Sequence, residues 1–225
     1  MTLLRAAWLV LRKDLRIELR TGEVVVTTAL FASLVTVIAS LSFYVDQRSA
    51  LLVAPGVLWI AVAFSGVLAM SRSWSRERDH DVLRGLLLSP IPRAAIYIGK
   101  SLGTVLFLAV VEVVLVFEVA VLFNLDIRPI IGSLFALLGL GTLGFAATGN
   151  LFAAMGTRTS ARDMVLAVAL FPVISPALLC GVVATRELLA GAPASELWAW
   201  LKILTAFDLA FIAAGMLLFE PLVCD

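Results

Sequence analysis

The sequence predicts an all-α integral membrane protein with about six transmembrane helices. Of its 225 residues, 62% are hydrophobic and the mean hydropathy is +1.07, which leaves too little polar surface to clothe a water-soluble globule. Six apolar stretches also have lengths near the roughly 20 residues that cross a hydrocarbon core. The predicted spans cover about residues 24–44, 50–71, 101–123, 130–155, 164–184 and 203–219. Because little chain remains outside them, we expect one transmembrane domain over residues 1–225 and no separate catalytic or nucleotide-binding domain.

The distribution of basic residues predicts the orientation of these spans. Thirteen of the seventeen Lys and Arg residues lie before the first predicted span or in the second and fourth connecting loops. Lys and Arg are retained on the cytoplasmic side of a membrane. We therefore expect both ends of the chain in the cytoplasm, which agrees with an even number of spans.

Residues 1–22 have the pattern of an amphipathic helix. Hydrophobic side chains recur every three or four positions, at Leu4, Trp8, Leu11, Leu15 and Leu19. Bases occupy the other side, at Arg5, Arg12 and Arg16. Such a helix is suited to lie in the headgroup layer before the chain turns at Gly22 into the first span. The alternative is a frayed basic tail that only satisfies the orientation rule.

The loop at residues 76–92 combines a run of charges with a leucine-rich segment. We predict a short helix from about Glu77 to Leu88, because acids would lie at its positive dipole end and Pro90 cannot extend it. Its leucine-rich flank is suited to docking a cytoplasmic partner. The candidate contacts are Glu77, Arg78, Asp79, Asp81, Leu83, Arg84, Leu86 and Leu87. The alternative is a solvated loop whose leucines dip back into the bilayer.

Three acids fall within the predicted spans. Glu112 lies near the middle of the third span, and Glu118 and Asp208 lie nearer the outer ends of the third and sixth. Such groups are costly in lipid and usually face the bundle interior or a water-filled path. Hydrogen bonding between helices or to a partner subunit, and a proton or substrate relay, are both consistent with their positions.

Glycines and prolines single out the fourth and fifth spans. Four glycines would let neighbouring helices approach the fourth span closely: Gly139, Gly141, Gly144 and Gly149. Pro172 and Pro176 predict a kink or break in the fifth helix that frees backbone carbonyls. A bend that moves and a static packing bend both fit this pattern.

The sequence lacks the patterns of a catalytic or cofactor-binding chain. Gly99-Lys100-Ser101 mimics the end of a phosphate-binding loop, but Ala94 replaces the required earlier glycine and no strand is predicted before it. We instead expect Lys100 to snorkel at the inner interface. His80 is the sole histidine, so one chain cannot supply a pair of histidine ligands to a metal-containing cofactor. We expect a non-catalytic subunit that alone binds no cofactor and no metal, and that has no nucleic-acid partner.

Four segments carry a family resemblance. They are Ala-Pro-Gly-Val-Leu-Trp at 54–59, the loop at 76–92 ending in Leu-Leu-Leu-Ser-Pro-Ile-Pro, Leu-Gly-Thr-Leu-Gly-Phe at 140–145, and Leu-Phe-Pro-Val-Ile at 170–174 followed by Pro176. In this order they resemble the ABC-2 type permease subunits of ABC exporters, and among them the CcmB family, the haem exporter protein B of cytochrome c maturation. The resemblance extends over most of the chain.

The resemblance implies a six-helix permease in a bacterial inner (plasma) membrane, with an interfacial amphipathic helix and a cytoplasmic coupling helix. The implied partners are a CcmA-like ATPase subunit that binds ATP, a CcmC-like haem-handling membrane protein and, indirectly, the haem chaperone CcmE, with a second permease copy as a further candidate. Haem is the implied substrate, either exported itself or passed on when the loaded chaperone is released. Related permeases often carry an acid where this chain has Arg84, so the reversed charge alters the expected ATPase contact.

Other interpretations remain open from the sequence. An ABC-2 permease for a lipid or drug would share the fold, although the order of the four segments favours haem handling. A non-transporting scaffold of the haem-handling complex would also be embedded in the membrane, and a sealed interior would favour it. An intramembrane enzyme is disfavoured, because the sequence shows no nucleophile with a base and no metal-ligand cluster.

Overall fold

The computed structural model describes residues 2–43, 47–79, 82–155, 162–193 and 195–224. All regular structure in these residues is helical. The α-helices are α1 (Leu3–Thr21), α2 (Glu23–Phe43), α3 (Gln47–Asp79), α4 (Val82–Leu88), α5 (Arg93–Leu122), α6 (Ile131–Met155), α7 (Arg162–Leu189) and α8 (Trp198–Cys224), and a short 3₁₀ helix at Arg128–Ile130 precedes α6.

Six helices of the described residues are long and apolar enough to cross a membrane, which confirms the predicted all-α membrane fold. These segments are Glu23–Phe43, Ser49–Glu77, Arg93–Leu122, Arg128–Met155, Val168–Leu189 and Trp198–Val223. Helices suit this environment because they satisfy every interior backbone N–H and C=O within one segment. The fold is that expected of an ABC-2 type permease.

Two helices extend well beyond the apolar stretches that predict them. α3 continues past residue 71 to Asp79, and α5 begins at Arg93 rather than at residue 101. Pro92 stands at the N-cap of α5 in an extended conformation and disfavours a helical conformation at Ile91. The extra turns carry charged residues to one end of the bundle, where they meet α1.

α6 lies at the centre of the bundle, where it packs against α3, α5, α7 and α8. One apolar cluster surrounds Trp59 and Phe123, and a second surrounds Trp74, Tyr97 and Phe219. The indole of Trp59 donates a hydrogen bond to the α7 residue Thr185, and that of Trp74 donates to the α6 residue Asn150. The two tryptophans therefore fix the rotation of α3 relative to two of its neighbours.

The four glycines predicted on α6 differ in their surroundings. Gly141 faces the ring of Trp59, Gly149 faces the side chain of Met70, and Gly144 faces α8. Gly139 has no neighbouring atom within 4 Å of the position that a Cβ would take. Three of these positions are close approaches between helices, and the fourth is open.

α7 is a continuous helix through its two prolines, so of the predicted kink or break the break is wrong and the kink stays a prediction. Both Pro172 and Pro176 lie inside the continuous helix Arg162–Leu189. Pro176 has no N–H to donate to the carbonyl of Pro172, one turn earlier. The hydroxyl of Ser175 donates to that carbonyl at 2.9 Å instead. The freed carbonyl is thus satisfied locally, which lets the helix continue.

We expect Gly141→Ala to destabilise the protein by about 1–3 kcal/mol, because an added methyl would overlap the ring of Trp59. The ring has little room to move, since Gly181 faces it as well and its N–H bonds to Thr185. Gly139→Ala is the matched control on the same helix, and we expect it to be neutral or to stabilise by up to about 1 kcal/mol. Thermal unfolding of the purified proteins in detergent measures both, and equal melting temperatures for the two variants would contradict the packing.

Candidate functional site

The charged end of the bundle brings α1 against α3 and α5. α1 ends at Gly22, which adopts a left-handed φ of 62° and donates its N–H to the carbonyl of Glu18. Its contact with α5 is close because Gly99 has no side chain: a Cβ there would overlap Val10 and the carbonyl of Ala7. Small residues therefore bring the two helices close together and set the position of the charges they carry.

The buried face of α1 differs from the predicted apolar face. Leu4, Trp8 and Leu19 are exposed as expected, but Leu11 is buried. The face against α5 and α3 carries small residues and both acids of the helix: Ala6, Ala7, Val10, Leu11, Asp14 and Glu18. The spacing of the large hydrophobic residues predicted which face of α1 is apolar. The face that is buried in the bundle is instead the one with small residues and acids, because these allow close packing and ion pairing with α5 and α3.

Four side chains form what we call the charged cluster: Lys13, Asp14, Glu77 and Lys100. The ammonium of Lys100 lies 3.0 Å from Asp14 Oδ2, and that of Lys13 lies 3.0 Å from Asp14 Oδ1. Both ammonium groups also contact Glu77 Oε1. The side chains of Lys100, Glu77 and Asp14 are only 2%, 4% and 7% exposed. Two cations and two anions thus neutralise one another where three helices meet.

A second set of ion pairs surrounds the cluster on its more exposed side. Both terminal nitrogens of Arg76 lie 3.1 Å from Glu18 Oε2, and one lies 3.2 Å from Glu23 Oε2. Glu18 also accepts a hydrogen bond from the backbone N–H of Val25 at 2.8 Å. Arg72 pairs with Glu23 at 3.3 Å, with both side chains nearly half exposed. These contacts tie the turn at Gly22 to α3.

The structure corrects the predicted position of Glu77. The sequence predicts it at the start of a coupling helix, facing a partner; instead it lies in the last part of α3 and its side chain is buried in the charged cluster. An acid near a helix C-terminus opposes the dipole, and the two lysines compensate it. Lys100, which the sequence predicts to snorkel, is likewise buried against Asp14 and Glu77.

The rest of the predicted coupling helix is the seven-residue helix α4, which begins at Val82 rather than Glu77. Leu88 is 85% exposed, and Leu86 and Leu87 are partly buried against the apolar cluster around Trp74. Of the other predicted contacts, Asp81 lies outside the described residues, and only the backbone is described for Arg78, Asp79, Leu83 and Arg84. Leu88 is therefore the leucine of α4 that the described structure leaves open to a partner.

The three acids within the spans face the bundle in different ways. Glu112 is buried and accepts a hydrogen bond from Thr142, which joins α5 to α6. Glu118 accepts one from the α2 residue Ser33 at 2.6 Å. Asp208 is buried against Gly144, and its oxygens have no hydrogen-bond partner among the described residues. The hydrogen bonds of Glu112 and Glu118 therefore join neighbouring helices.

An apolar groove opens between α3 and α7. It has a volume of about 440 Å³. The residues that line it are Gly56, Trp59, Ile60, Ala63, Phe64, Phe171, Leu178, Leu179 and Val182. The described residues contain no group of three His, Cys, Asp or Glu side chains placed to hold a metal ion.

Sequence reasoning missed the charged cluster, although one signal pointed to it. Asp14 and Glu18 are four residues apart, so they share a helix face, and Ala7 and Val10 lie on that same side. Small residues and acids together on one face of an otherwise basic helix indicate close packing against a cationic partner. The identity of that partner, Lys100, depends on tertiary structure.

Comparison with known proteins decides the family. The model of the CcmB protein family matches residues 5–219. The chain belongs to the CcmB family. Heme exporter protein B of Pseudomonas aeruginosa is 26% identical over 212 residues, which cover 92% of this chain and 95% of that protein. Heme exporter protein B of Bradyrhizobium diazoefficiens is 28% identical over 207 residues, covering 91% of each.

A shorter match concerns the heme exporter protein B of Escherichia coli K12. It is 26% identical over 96 residues, which cover 43% of this chain and 44% of that protein. The family match spans α1 through most of α8, so it includes both the charged cluster and α4. The chain is accordingly a multi-pass membrane protein of the CcmB family.

We expect Lys100→Met to destabilise the protein by about 3–5 kcal/mol, since it leaves two buried carboxylates facing the single amine of Lys13. Arg72→Gln removes one charge from the same end of the bundle, but its pair with Glu23 is nearly half exposed. We expect that control to cost less than about 1 kcal/mol. Unfolding in detergent measures the stability of both variants. Similar losses of stability would show that the buried charges of the cluster contribute no more than an exposed ion pair.

The charged cluster also predicts a stability change at high pH. Burial alone lowers the pKa of Lys13, but the carboxylates of Asp14 and Glu77 outweigh it and raise the pKa above 10.5. The folded state thus holds this proton more tightly, so its stabilising effect is complete below pH 10.5 and is lost as the pH rises through the raised pKa. The stability difference between wild type and Lys13→Met should therefore be constant from neutral pH up to pH 10.5 and shrink above it.

The control for this titration is Arg12→Gln, which changes an exposed base next to Lys13. Its stability difference from wild type should not vary over the same pH range, because arginine keeps its proton there. A Lys13→Met difference that stays constant above pH 10.5 would contradict the raised pKa.

Proposed function

We propose that this CcmB-family chain is the permease subunit of an ATP-driven export complex that handles haem for cytochrome c biogenesis. The observation that carries the proposal is the family match over residues 5–219 on a bundle of six apolar helices. The curated relatives that align with over nine-tenths of the chain are named heme exporter protein B. Haem, or the release of a haem-loaded chaperone, is the proposed outcome of the transport cycle.

In this proposal the chain itself is not an enzyme, and a CcmA-like ATPase subunit supplies the ATP hydrolysis. The connections between its apolar helices are too short to hold a nucleotide-binding domain. α4 is the element that receives the ATPase, because it offers the exposed Leu88 at the end of the bundle where the basic residues gather. Only residues 80 and 81 separate α4 from α3, so movement of α4 passes directly to a transmembrane helix.

The charged end of the bundle is proposed to face the cytoplasm of a bacterium, with both ends of the chain on that side of the inner membrane. Support comes from the basic residues concentrated there, among them Arg12, Arg16, Arg72 and Arg76. The remaining proposed partners are a CcmC-like haem-handling protein, the haem chaperone CcmE indirectly, and a second permease copy. No cofactor is assigned to this chain alone.

Leu88→Asp tests whether α4 receives the ATPase. The side chain is exposed, so the folded bundle should be retained while a charge enters the proposed apolar contact. We expect at least tenfold less ATPase subunit to copurify with the variant, as for an interface hot spot. We also expect loss of both ATP turnover in reconstituted membranes and release of holo-chaperone. Leu88→Met is the matched control, since it keeps an apolar side chain of similar volume, and it should behave as wild type.

The outcomes separate the proposed functions. Normal ATPase binding and turnover in Leu88→Asp would remove α4 from the interface. Normal cytochrome maturation without any ATP turnover would favour a membrane scaffold of the haem-handling complex. Stimulation of the wild-type ATP turnover by an added lipid or drug, and not by haem or the holo-chaperone, would favour an ABC-2 permease for another substrate.

A further inference from the structure

The acids of α1 and the bases of α1 have different surroundings. Asp14 and Glu18 are turned inward, where they pair with Lys100 and Arg76 of neighbouring helices. The arginines of α1 are all exposed, and within the described residues no carboxylate lies at ion-pair distance from any of them. They are Arg5, Arg12, Arg16 and Arg20. The helix therefore presents a row of four positive charges that no carboxylate of the described residues pairs with, although the net charge of the chain is only +1.

Large apolar side chains run alongside this row. Leu4, Trp8 and Leu19 are 77%, 58% and 88% exposed. At 100° per residue they fall on one stripe of the helix, next to the stripe that carries the arginines. Exposed leucines and a tryptophan beside a row of bases are typical of a helix at the boundary between headgroups and acyl chains.

The arginine row borders an open groove on the surface of α1. Arg12 and Arg16 are one helical turn apart, which places their Cβ atoms about 6 Å from each other. With Leu9, Lys13 and Ile17 they line an open groove of about 270 Å³. Two guanidinium groups at this spacing can donate to the same phosphate group. Lys13 is already paired with Asp14 and Glu77, so the free donors are the two arginines.

We propose that this arginine groove binds the phosphate headgroup of an anionic phospholipid in the leaflet that α1 borders. A lipid is favoured as the occupant because the groove adjoins the exposed apolar stripe of Leu4, Trp8 and Leu19. α1 also leads through Gly22 alone into the span that begins at Glu23, which holds it near the membrane surface. The inference goes beyond haem handling and does not depend on the substrate.

The test is a lipid titration of the full-length chain in detergent, with bound lipids counted by native mass spectrometry. The probes are phosphatidylglycerol and phosphatidylcholine with the same acyl chains, and inorganic phosphate as a third arm. We expect wild type to prefer phosphatidylglycerol. Arg12→Gln with Arg16→Gln should weaken that binding by at least tenfold, since each base near a membrane surface accounts for about a fivefold change. Binding of phosphatidylcholine should not change.

The matched control removes the same charge from the opposite end of the bundle. Arg128→Gln with Arg186→Gln also replaces two exposed arginines and should leave phosphatidylglycerol binding as in wild type. Melting temperatures of all variants establish that they are folded. If the double variant is unstable, the single variants Arg12→Gln and Arg16→Gln replace it, and each should bind phosphatidylglycerol about fivefold more weakly than wild type.

Three results would overturn the proposal. One is unchanged phosphatidylglycerol binding in the folded Arg12→Gln and Arg16→Gln double variant, and another is an equal loss in the control. The third is inorganic phosphate binding as tightly as the lipid, which would make the groove a site for a free anion. If the double variant keeps lipid binding but loses the copurifying ATPase, the arginine row serves an acidic protein surface and the lipid assignment is wrong.

Discussion

Hydrocarbon offers no water to hydrogen-bond a polar group, and this constraint governs the interior of the bundle. Helices satisfy the backbone, and several polar side chains within the spans are satisfied by partners on neighbouring helices. The indole of Trp59 donates to Thr185, and that of Trp74 donates to Asn150, whose amide donates in turn to Thr104. These bonds join helices that apolar packing alone would leave free to rotate. The few polar residues of the bundle therefore specify its register, while the apolar majority supplies close contact.

The same constraint operates more strongly on charge. A buried ion is tolerated only when an opposite charge and further hydrogen bonds replace its hydration. The charged cluster meets this condition by balancing two lysines with two acids from three helices, and Lys100 lies in addition 5.7 Å from the ring centroid of Trp74. α1 is consequently part of the folded bundle, since pulling it away would expose unpaired charges on α3 and α5. Because both acids of α1 pair with bases inside the bundle, the arginines on its outward face are left exposed and can contact lipid headgroups.

The sequence could predict what depends on local composition, and it could not predict what depends on contacts. Apolar length identified six spans, and close-approach positions such as Gly141 were visible as glycines. It could not show that Gly139 lies in open space, because a neighbour is a property of the fold. Glu77 was misplaced because a charge run reads as solvated until a partner such as Lys13 is known. The break expected at the prolines of α7 is absent. The Ser175 hydroxyl donates to the carbonyl that Pro176 leaves without its helical partner, and the orientation of that hydroxyl is likewise set only in the folded helix.

These constraints limit how the bundle can respond if a partner pushes on α4. α3 has 33 residues, so it is about 50 Å long, and Glu77 of the charged cluster lies near its C-terminal end. Moving its charged end alone would separate Glu77 from both lysines and leave ions buried without partners, which is strongly unfavourable. Sliding of apolar surfaces breaks no ion pair. α1, α3 and α5 should therefore move together at this end of the bundle, and the rearrangement should be taken up along the apolar groove between α3 and α7. The hydrogen bond from Trp59 to Thr185 joins these two helices beside the groove, so such a movement would have to keep or break it.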